Sequence, residues 1–294
     1  MEYIKYCVEC GKPKVYKNKH SYIYSSKPLC KSCSKTKQNN KLYPNKLEKL
    51  LLNTPESYYW IGYLLADGHF QNNRIIFSQN GEDKISVENF VKYIEGTTKI
   101  KYTNNIDEDK AKFWISSKTI IPKITEKFNI NPNKTYCPPD VKIFEDMDID
   151  LLAYLFIGFV DGDGCIQKNI KNEGVKIHIL IHSSWLDILK IFEKRLFELT
   201  GYSKIDKDGY ARLIITRSDL LRKFKRKYFN DIDFEPLHRK WDKIDINYIS
   251  KSEMSFNQIK KLYNLGYKPK EICKELNYTL EKVYYHIKKI KMMS

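Results

Sequence analysis

Long apolar runs are missing from this chain of 294 residues. None approaches the roughly 18 residues that cross a bilayer, which argues against a membrane-spanning protein. No secretory leader is expected either, since Met1 to Lys19 is charged and polar throughout. Cysteine is scarce, seven in all, and Cys137, Cys165 and Cys273 stand alone, so no disulfide framework is expected. These absences point to an intracellular, reducing compartment: the cytoplasm of a bacterial or phage-infected cell, or an organelle. Acidic residues are in deficit, with 36 Asp and Glu against 52 Lys and Arg, a formal net charge of +16. Such a surplus suits nucleic acid, whose phosphates release counterions to a basic surface; the alternative is a solvated basic surface with no partner. Hydrophobic residues make up 42% of the chain, enough for a buried core, which excludes a disordered chain.

Four regions separate by pattern. Residues 1–40 carry two cysteine pairs, residues 41–53 a short amphipathic linker helix, residues 54–250 mixed helices and strands, and residues 251–294 helix alone. The mixed region is duplicated. Tyr59-Trp-Ile-Gly-Tyr-Leu-Leu-Ala-Asp-Gly68 stands beside Leu155-Phe-Ile-Gly-Phe-Val-Asp-Gly-Asp-Gly164, both aromatic-rich and both closing on small-Asp-Gly. A strand follows each (Arg74–Ser78; Lys176–His182), then a helix closing on glycine (Val87–Gly96; Trp185–Gly201). Lys99-Ile100 then matches Lys204-Ile205, and the strands at Lys112–Ser116 and Arg212–Thr216 each lead into a further helix. Matches in one order through about 70 residues signal a repeat, with halves at 54–140 and 141–250.

Gly62 and Ala66 are four apart, as are Gly158 and Gly162, so each pair lies on one helical face. Small residues there let two helix backbones approach closely and bring the helix ends together. Each end is Asp-Gly. Glycine is the expected left-handed residue past a helix end. An aspartate there is electrostatically wrong, because the helix C-terminus is already negative, and two together repel. A divalent cation resolves that conflict, and carboxylates with phosphate oxygens are what Mg²⁺ prefers. One copy alone reads as an ordinary turn; two in register in a basic chain favour a shared site.

Trp60 to Gly68 and Phe156 to Gly164 resemble the nine-residue LAGLIDADG motif, with Asp67 and Asp163 at the position of its catalytic acid. The resemblance covers about residues 55–235. It implies an α+β fold, two αββαββα halves related by a pseudo-twofold axis in a saddle whose sheets straddle double-stranded DNA in the major groove. It further implies Mg²⁺ at Asp67-Gly68 and Asp163-Gly164 and cleavage of both strands. Leu65 departs from the acid found at Asp161, a position that does not bind metal in the family. Gln79 resembles a residue that orders active-site water, and Ser183 is taken as its counterpart. Where the family often has lysines, Asn80 and Ser184 are read. Lys112 and Arg212 are therefore candidates for the scissile phosphates, with solvated strand residues as the alternative, and Arg74 is a further candidate for DNA contact.

Cys7-x-x-Cys10 and Cys30-x-x-Cys33 have the spacing of a four-thiolate Zn²⁺ site. The loop between carries Lys12, Lys14, Lys17 and Lys19 interleaved with Tyr16, Tyr22 and Tyr24, a mix that suits phosphate contact and stacking beside a purely structural role. At the other end, Ser255–Asn264, Lys268–Leu276 and Leu280–Lys291 are expected as three helices resembling the helix-turn-helix of resolvases. Glu281, Lys282, Tyr284, Tyr285 and Lys288 would then face DNA; a dimerisation bundle is the alternative.

The expected function is a site-specific, Mg²⁺-dependent DNA endonuclease of a mobile element, acting as a monomer with internal pseudo-twofold symmetry. A non-cleaving DNA- or RNA-binding descendant, a transcription regulator or an intron maturase, is the rival. Intein origin is disfavoured by the residues at the two ends. Nucleases of the His-metal type are disfavoured because the six histidines are scattered without a paired His and Asn.

Overall fold

The computed structural model describes residues 3–8, 10–25, 28, 30, 32–33, 46–96, 99–105, 108–169, 174–230, 232–248 and 251–293. Near the N-terminus, β1 (Tyr3–Tyr6) and β2 (Pro13–Tyr16) form an antiparallel ribbon. Gly11 turns the chain between them at φ +70°, a value that favours glycine. Asn18 then caps α1 (Lys19–Tyr24), its Oδ1 accepting from the Ser21 amide at 2.8 Å.

The expected linker helix over 41–53 differs in the structure. Residues 41–45 lie outside the described ones, and Leu47–Leu51 is a single 3₁₀ turn. Leu47 and Leu50 are fully buried in the main core, and the Lys46 amide donates to the Ile94 carbonyl at 2.7 Å. Two buried leucines three apart pin the segment to the first half, so it works as part of that half.

Thr54 opens the first central helix, α2 (Pro55–Asp67): its Oγ1 accepts from the Ser57 amide, and Pro55 occupies the first turn, where a missing N–H costs nothing. There follow β3 (His69–Gln71), β4 (Arg74–Asn80), α3 (Lys84–Tyr93), β5 (Lys101–Asn105), β6 (Glu108–Ser116) and α4 (Ile120–Lys127). After a short helix, α5 (Val141–Asp146), the series repeats as α6 (Ile149–Asp163), β7 (Gly164–Lys168), β8 (Val175–His182), α7 (Leu186–Phe197), β9 (Ser203–Ile205), β10 (Tyr210–Ile215) and α8 (Ser218–Tyr228). A last turn, α9 (His238–Trp241), completes this unit. The architecture is thus αββαββα twice, as expected, with two four-stranded antiparallel sheets ordered β3-β4-β6-β5 and β7-β8-β10-β9. On each sheet one face is buried: Ile75 and Phe77 alternate with half-buried Ile76 and Ser78, and Ile177 and Ile179 with half-buried His178 and exposed Leu180.

The ladders fix which residues correspond. His69 pairs with Ile76 and Cys165 with His178; Ser78 pairs with Lys112 and Leu180 with Arg212. Lys112 and Arg212 are therefore equivalent, as the sequence suggests. Lys101 pairs with Lys112 and Lys204 with Arg212, so the match to Lys204 is Lys101, and Lys99 lies before the strand. Nor do the second helices of each half close on glycine. The left-handed residues after them are Glu95 (φ 49°) and Glu198 (φ 53°), with Gly96 and Gly201 further along. Only a φ of +86° at Gly201 keeps a glycine requirement there.

The second compact unit, Asp245–Ser294, holds α10 (Lys251–Asn264), α11 (Pro269–Leu276) and α12 (Leu280–Met293). Ile259, Ile272, Val283, Ile287 and Ile290 form its core. Asn277, left-handed at φ 52°, makes the turn between the last two helices, and Thr279 Oγ1 accepts from the Lys282 amide at 3.4 Å. Among the described residues no helix is long and apolar enough to cross a membrane.

Candidate active site

The two central helices touch backbone to backbone. A Cβ placed on Gly62 would lie 1.9 Å from the Leu155 carbonyl oxygen, and one on Gly158 would lie 1.9 Å from that of Tyr59. A Cβ on Gly162 would meet the Ala66 methyl at 2.3 Å. The four small residues picked from the sequence thus all lie in the contact between α2 and α6, which brings the two Asp-Gly ends side by side. Gly68 and Gly164 are not left-handed, contrary to expectation; φ is −71° and −86°. They are glycine for lack of room: a Cβ on either would sit 2.5 or 2.6 Å from the carbonyl of Leu64 or Val160. The chain therefore leaves each helix straight into β3 or β7, and the aspartate before it stays at the mouth.

Asp67 is exposed at that mouth and Asp163 is half-buried. Protein packed around Asp67 nonetheless raises its carboxyl above the ordinary range, partly offset by Gln79, whose Nε2 donates to its Oδ2 at 2.6 Å. Desolvation, and then the charge of Asp67, pushes Asp163 up to about 6. The charge of Asp67 is thus felt at Asp163, and the Asp67 Oδ2 lies 3.2 Å from where a Gly162 Cβ would be.

Two lysines flank the pair, and sequence reasoning missed both. Lys134 Nζ donates to the carbonyls of Leu65 (2.7 Å) and Ala66 (2.8 Å). Lys240 Nζ donates to those of Val160 (2.9 Å), Asp161 (2.6 Å) and Gly162 (3.1 Å). Each lysine caps one central helix at its negative end, where a cation is favoured. They are 8% and 5% exposed, and burial lowers the pKa of both. Both follow the closing helix of their half, at unequal distances; following the duplication past those helices would have found them.

Asp161 has a structural task. Fully buried, it accepts from the Tyr59 hydroxyl (2.9 Å), the Leu237 amide (2.9 Å) and the Trp241 indole (2.7 Å), and burial pushes it up to about 6. It thereby fixes the segment that carries Lys240. In the first half, where Leu65 stands instead, the Trp185 indole donates to the Lys134 carbonyl at 3.1 Å. A paired contact of Arg239 with Asp83 also joins the two halves.

The ladder corrects one assignment. Gln79 pairs with Ala111 and Ile181 with Ala211, so the counterpart of Gln79 is Ile181, and Ser183 lies two residues beyond it. By the same register Asn80 corresponds to His182, and Ser184 lies two residues beyond it. Ser184 Oγ donates to the Thr135 carbonyl at 3.0 Å. Lys112 is one residue out of phase with Ala111 and so belongs to the open face of its sheet, away from the face Gln79 shares; Arg212 is placed in the same way. Arg74, exposed on that open face, reaches Ser116 Oγ at 3.3 Å.

At the N-terminus, ligand atoms of Cys7, Cys10, Cys30 and Cys33 all lie within 4.8 Å of one another. Four thiolates about 2.3 Å from a tetrahedral Zn²⁺ require such a cluster. Lys12, Lys17 and Lys19 are exposed, and Lys14 is half-buried over the Tyr16 ring. Tyr16 itself is buried, its hydroxyl 2.6 Å from Ser25 Oγ, and Tyr22 packs on Tyr3, so these rings build the module's core. The side chain of Tyr24 lies outside the described ones. On α12, Glu281, Tyr284, Tyr285 and Lys288 are exposed, while the Lys282 amine lies 3.6 Å over the Tyr278 ring.

No family model matches the sequence. The glutamine–fructose-6-phosphate aminotransferase (isomerizing) of Methanocaldococcus jannaschii is 24% identical over 197 residues, 64% of this chain. The chain spans only 17% of that protein's length. Among solved structures, the LAGLIDADG meganuclease I-CpaMI bound to uncleaved DNA is 12% identical, with 72% of this chain and 92% of that one covered at a TM-score of 0.43. The homing endonuclease I-GzeII in complex with its DNA target is 13% identical over 75% and 96% of the two chains, TM-score 0.44. I-LtrWI, also bound to target DNA, is 14% identical over 82% and 96%, TM-score 0.43. At such identities and TM-scores these likenesses assign no residue a role.

Proposed function

We propose that this protein is a site-specific, divalent-metal-dependent DNA endonuclease of the LAGLIDADG homing type. The observation that carries the reading is the pair of helix-end aspartates, Asp67 and Asp163, brought to one mouth by a glycine-lined helix contact inside a duplicated fold. Two carboxylates in repulsion, open to solvent and backed by two buried lysines, form a hard oxygen donor set that fits Mg²⁺. Bound there, the ion would supply Lewis-acid stabilisation and an acidified water for phosphodiester hydrolysis. Gln79 holds the Asp67 carboxylate in one orientation and keeps its amide oxygen for a water. Lys134 and Lys240 offset the negative helix ends, so that both aspartates can be ionised together. Lys112, Arg212 and Arg74, on the open sheet faces, serve DNA contact, and the backbone carbonyls of Gly68 and Gly164 are candidates to complete the metal shell.

The finer parts belong to the same proposal. The four cysteines hold Zn²⁺, α11 and α12 act as a helix-turn-helix, and the protein works as a monomer on double-stranded DNA. The test is cleavage of a randomised DNA library in Mg²⁺ with the product ends sequenced, beside Asp67→Asn and Asp163→Asn. Discrete double-strand cuts, absent in both variants, are expected. Specific retention of one sequence without cuts would establish a binding-only protein instead.

A further inference from the structure

The two centres share their lysines but not their amide. In the first half Gln79 donates to Asp67 at 2.6 Å. At the equivalent ladder position the second half has Ile181, and Asp163 has no hydrogen-bond donor among the described residues. Other polar groups nearby do not replace it. The His182 ring has its Nδ1 engaged 2.9 Å from Ser184 Oγ and packs edge-on against Tyr136, while Lys134 is spent on the Leu65 and Ala66 carbonyls. What remains beside Asp163 is a cavity of about 290 Å³, lined by Asp163, Ile181, His182 and Tyr210 among others.

We infer that the two centres are unequal: the one with Gln79 leads, the one with Ile181 lags, and the protein passes through a nicked duplex before both strands are cut. This rests on the endonuclease reading. The physical basis is orientation. A carboxylate held by a neighbouring donor presents its free oxygen in one direction, and the same amide offers its own oxygen to a water. An unheld carboxylate facing a cavity must be ordered at each turnover. Loss of such a supporting hydrogen bond costs roughly 10- to 100-fold in activity or metal affinity.

The test is strand-resolved cleavage of a plasmid carrying the selected site, beside calorimetric titration of Ca²⁺ into the protein–DNA complex. Wild type should accumulate open-circle DNA, with one strand cut roughly tenfold or more before the other. Ile181→Gln, for which the cavity has room, should speed the lagging strand and strengthen the weaker Ca²⁺ site. Gln79→Leu should slow the leading strand to the pace of the other. Equal strand rates in wild type, a leading strand unaffected by Gln79→Leu, or a Ca²⁺ isotherm unchanged in both variants would overturn the inference. Absence of any cut would overturn the endonuclease reading and this inference with it, whereas unbiased cutting would overturn this inference alone.

Discussion

At the scale of single residues, the site is held in an unfavourable charge state. Burial, and then the charge of Asp67, push the Asp163 carboxyl up to about 6 from 3.8 for a free aspartate. A carboxyl raised on folding favours the fold most below its unfolded value and progressively less as pH climbs from 3.8 to about 6. Above that window the ionised side chain works against stability. Asp163→Asn should therefore abolish cleavage while raising stability at pH 7 by ~1–2 kcal/mol, read as a higher Tm in a thermal melt. Asp161 is the contrasting case, because three donors converge on it. Asp161→Ala would leave the Tyr59 hydroxyl, the Leu237 amide and the Trp241 indole unpaired in the core. A loss of about 3–5 kcal/mol is expected in urea denaturation. From the sequence the two aspartates were equally visible as acids at a helix end. The resemblance sets Asp161 apart from the metal position, but its structural task was not legible, because it depends on Leu237 and Trp241, which return to Asp161 from beyond the closing helix of the second half.

At the scale of elements, spacing told most of the story. Four small residues on two helical faces mark the α2–α6 contact in the sequence, since only small side chains permit backbones to meet. Gly158→Ala should cost upwards of ~3 kcal/mol or prevent folding, because the added methyl meets a carbonyl that no rotamer change can move. Gly201→Ala is the control: it has open space around it but φ +86°, so only about 1 kcal/mol of backbone strain is expected. Parallel thermal melts would separate the two costs. Strand register was less legible. The Lys99 and Ser183 alignments slipped by two residues each because loops of unequal length separate the matched strands, and only the ladders supply the true phase. In the C-terminal helices, His286 is 4% exposed with Nδ1 unpartnered among the described residues, and burial lowers its pKa. A histidine lowered on folding gives up stability as pH falls below 6.5, where the unfolded chain takes up the proton first. The hydrogen-exchange protection factors of α10–α12, each taken relative to the intrinsic rate at its pH, should therefore fall between pH 7 and 5.5, and equal protection at both would remove His286 from that role.

At the scale of the whole molecule, the repeat carried the fold class, and the cysteine pairs carried the thiol cluster. If the thiol cluster is a Zn²⁺ site, the purified protein should hold one zinc per chain. Replacing Cys30 and Cys33 by Ser should release it, and unaltered zinc content by atomic absorption would refute the assignment. Composition could not reveal how the halves are tied. The Trp185 indole, the Asp83–Arg239 pair and the Tyr59–Asp161 bond each reach across the repeat boundary. Residues distant in the chain and different in kind leave no shared mark in the sequence.

The helix contact has a consequence for how such a protein can change. Since α2 and α6 meet through Gly62 against the Leu155 carbonyl and Gly158 against the Tyr59 carbonyl, their spacing is set by peptide geometry and not by side-chain size. No single substitution can widen it by a small step, whereas the open sheet faces carrying Arg74, Lys112 and Arg212 can vary freely. On the proposed function, inheritance would act on two independent parts: a gauge between Asp67 and Asp163 that is frozen, and sheet faces that can drift toward new targets without disturbing it.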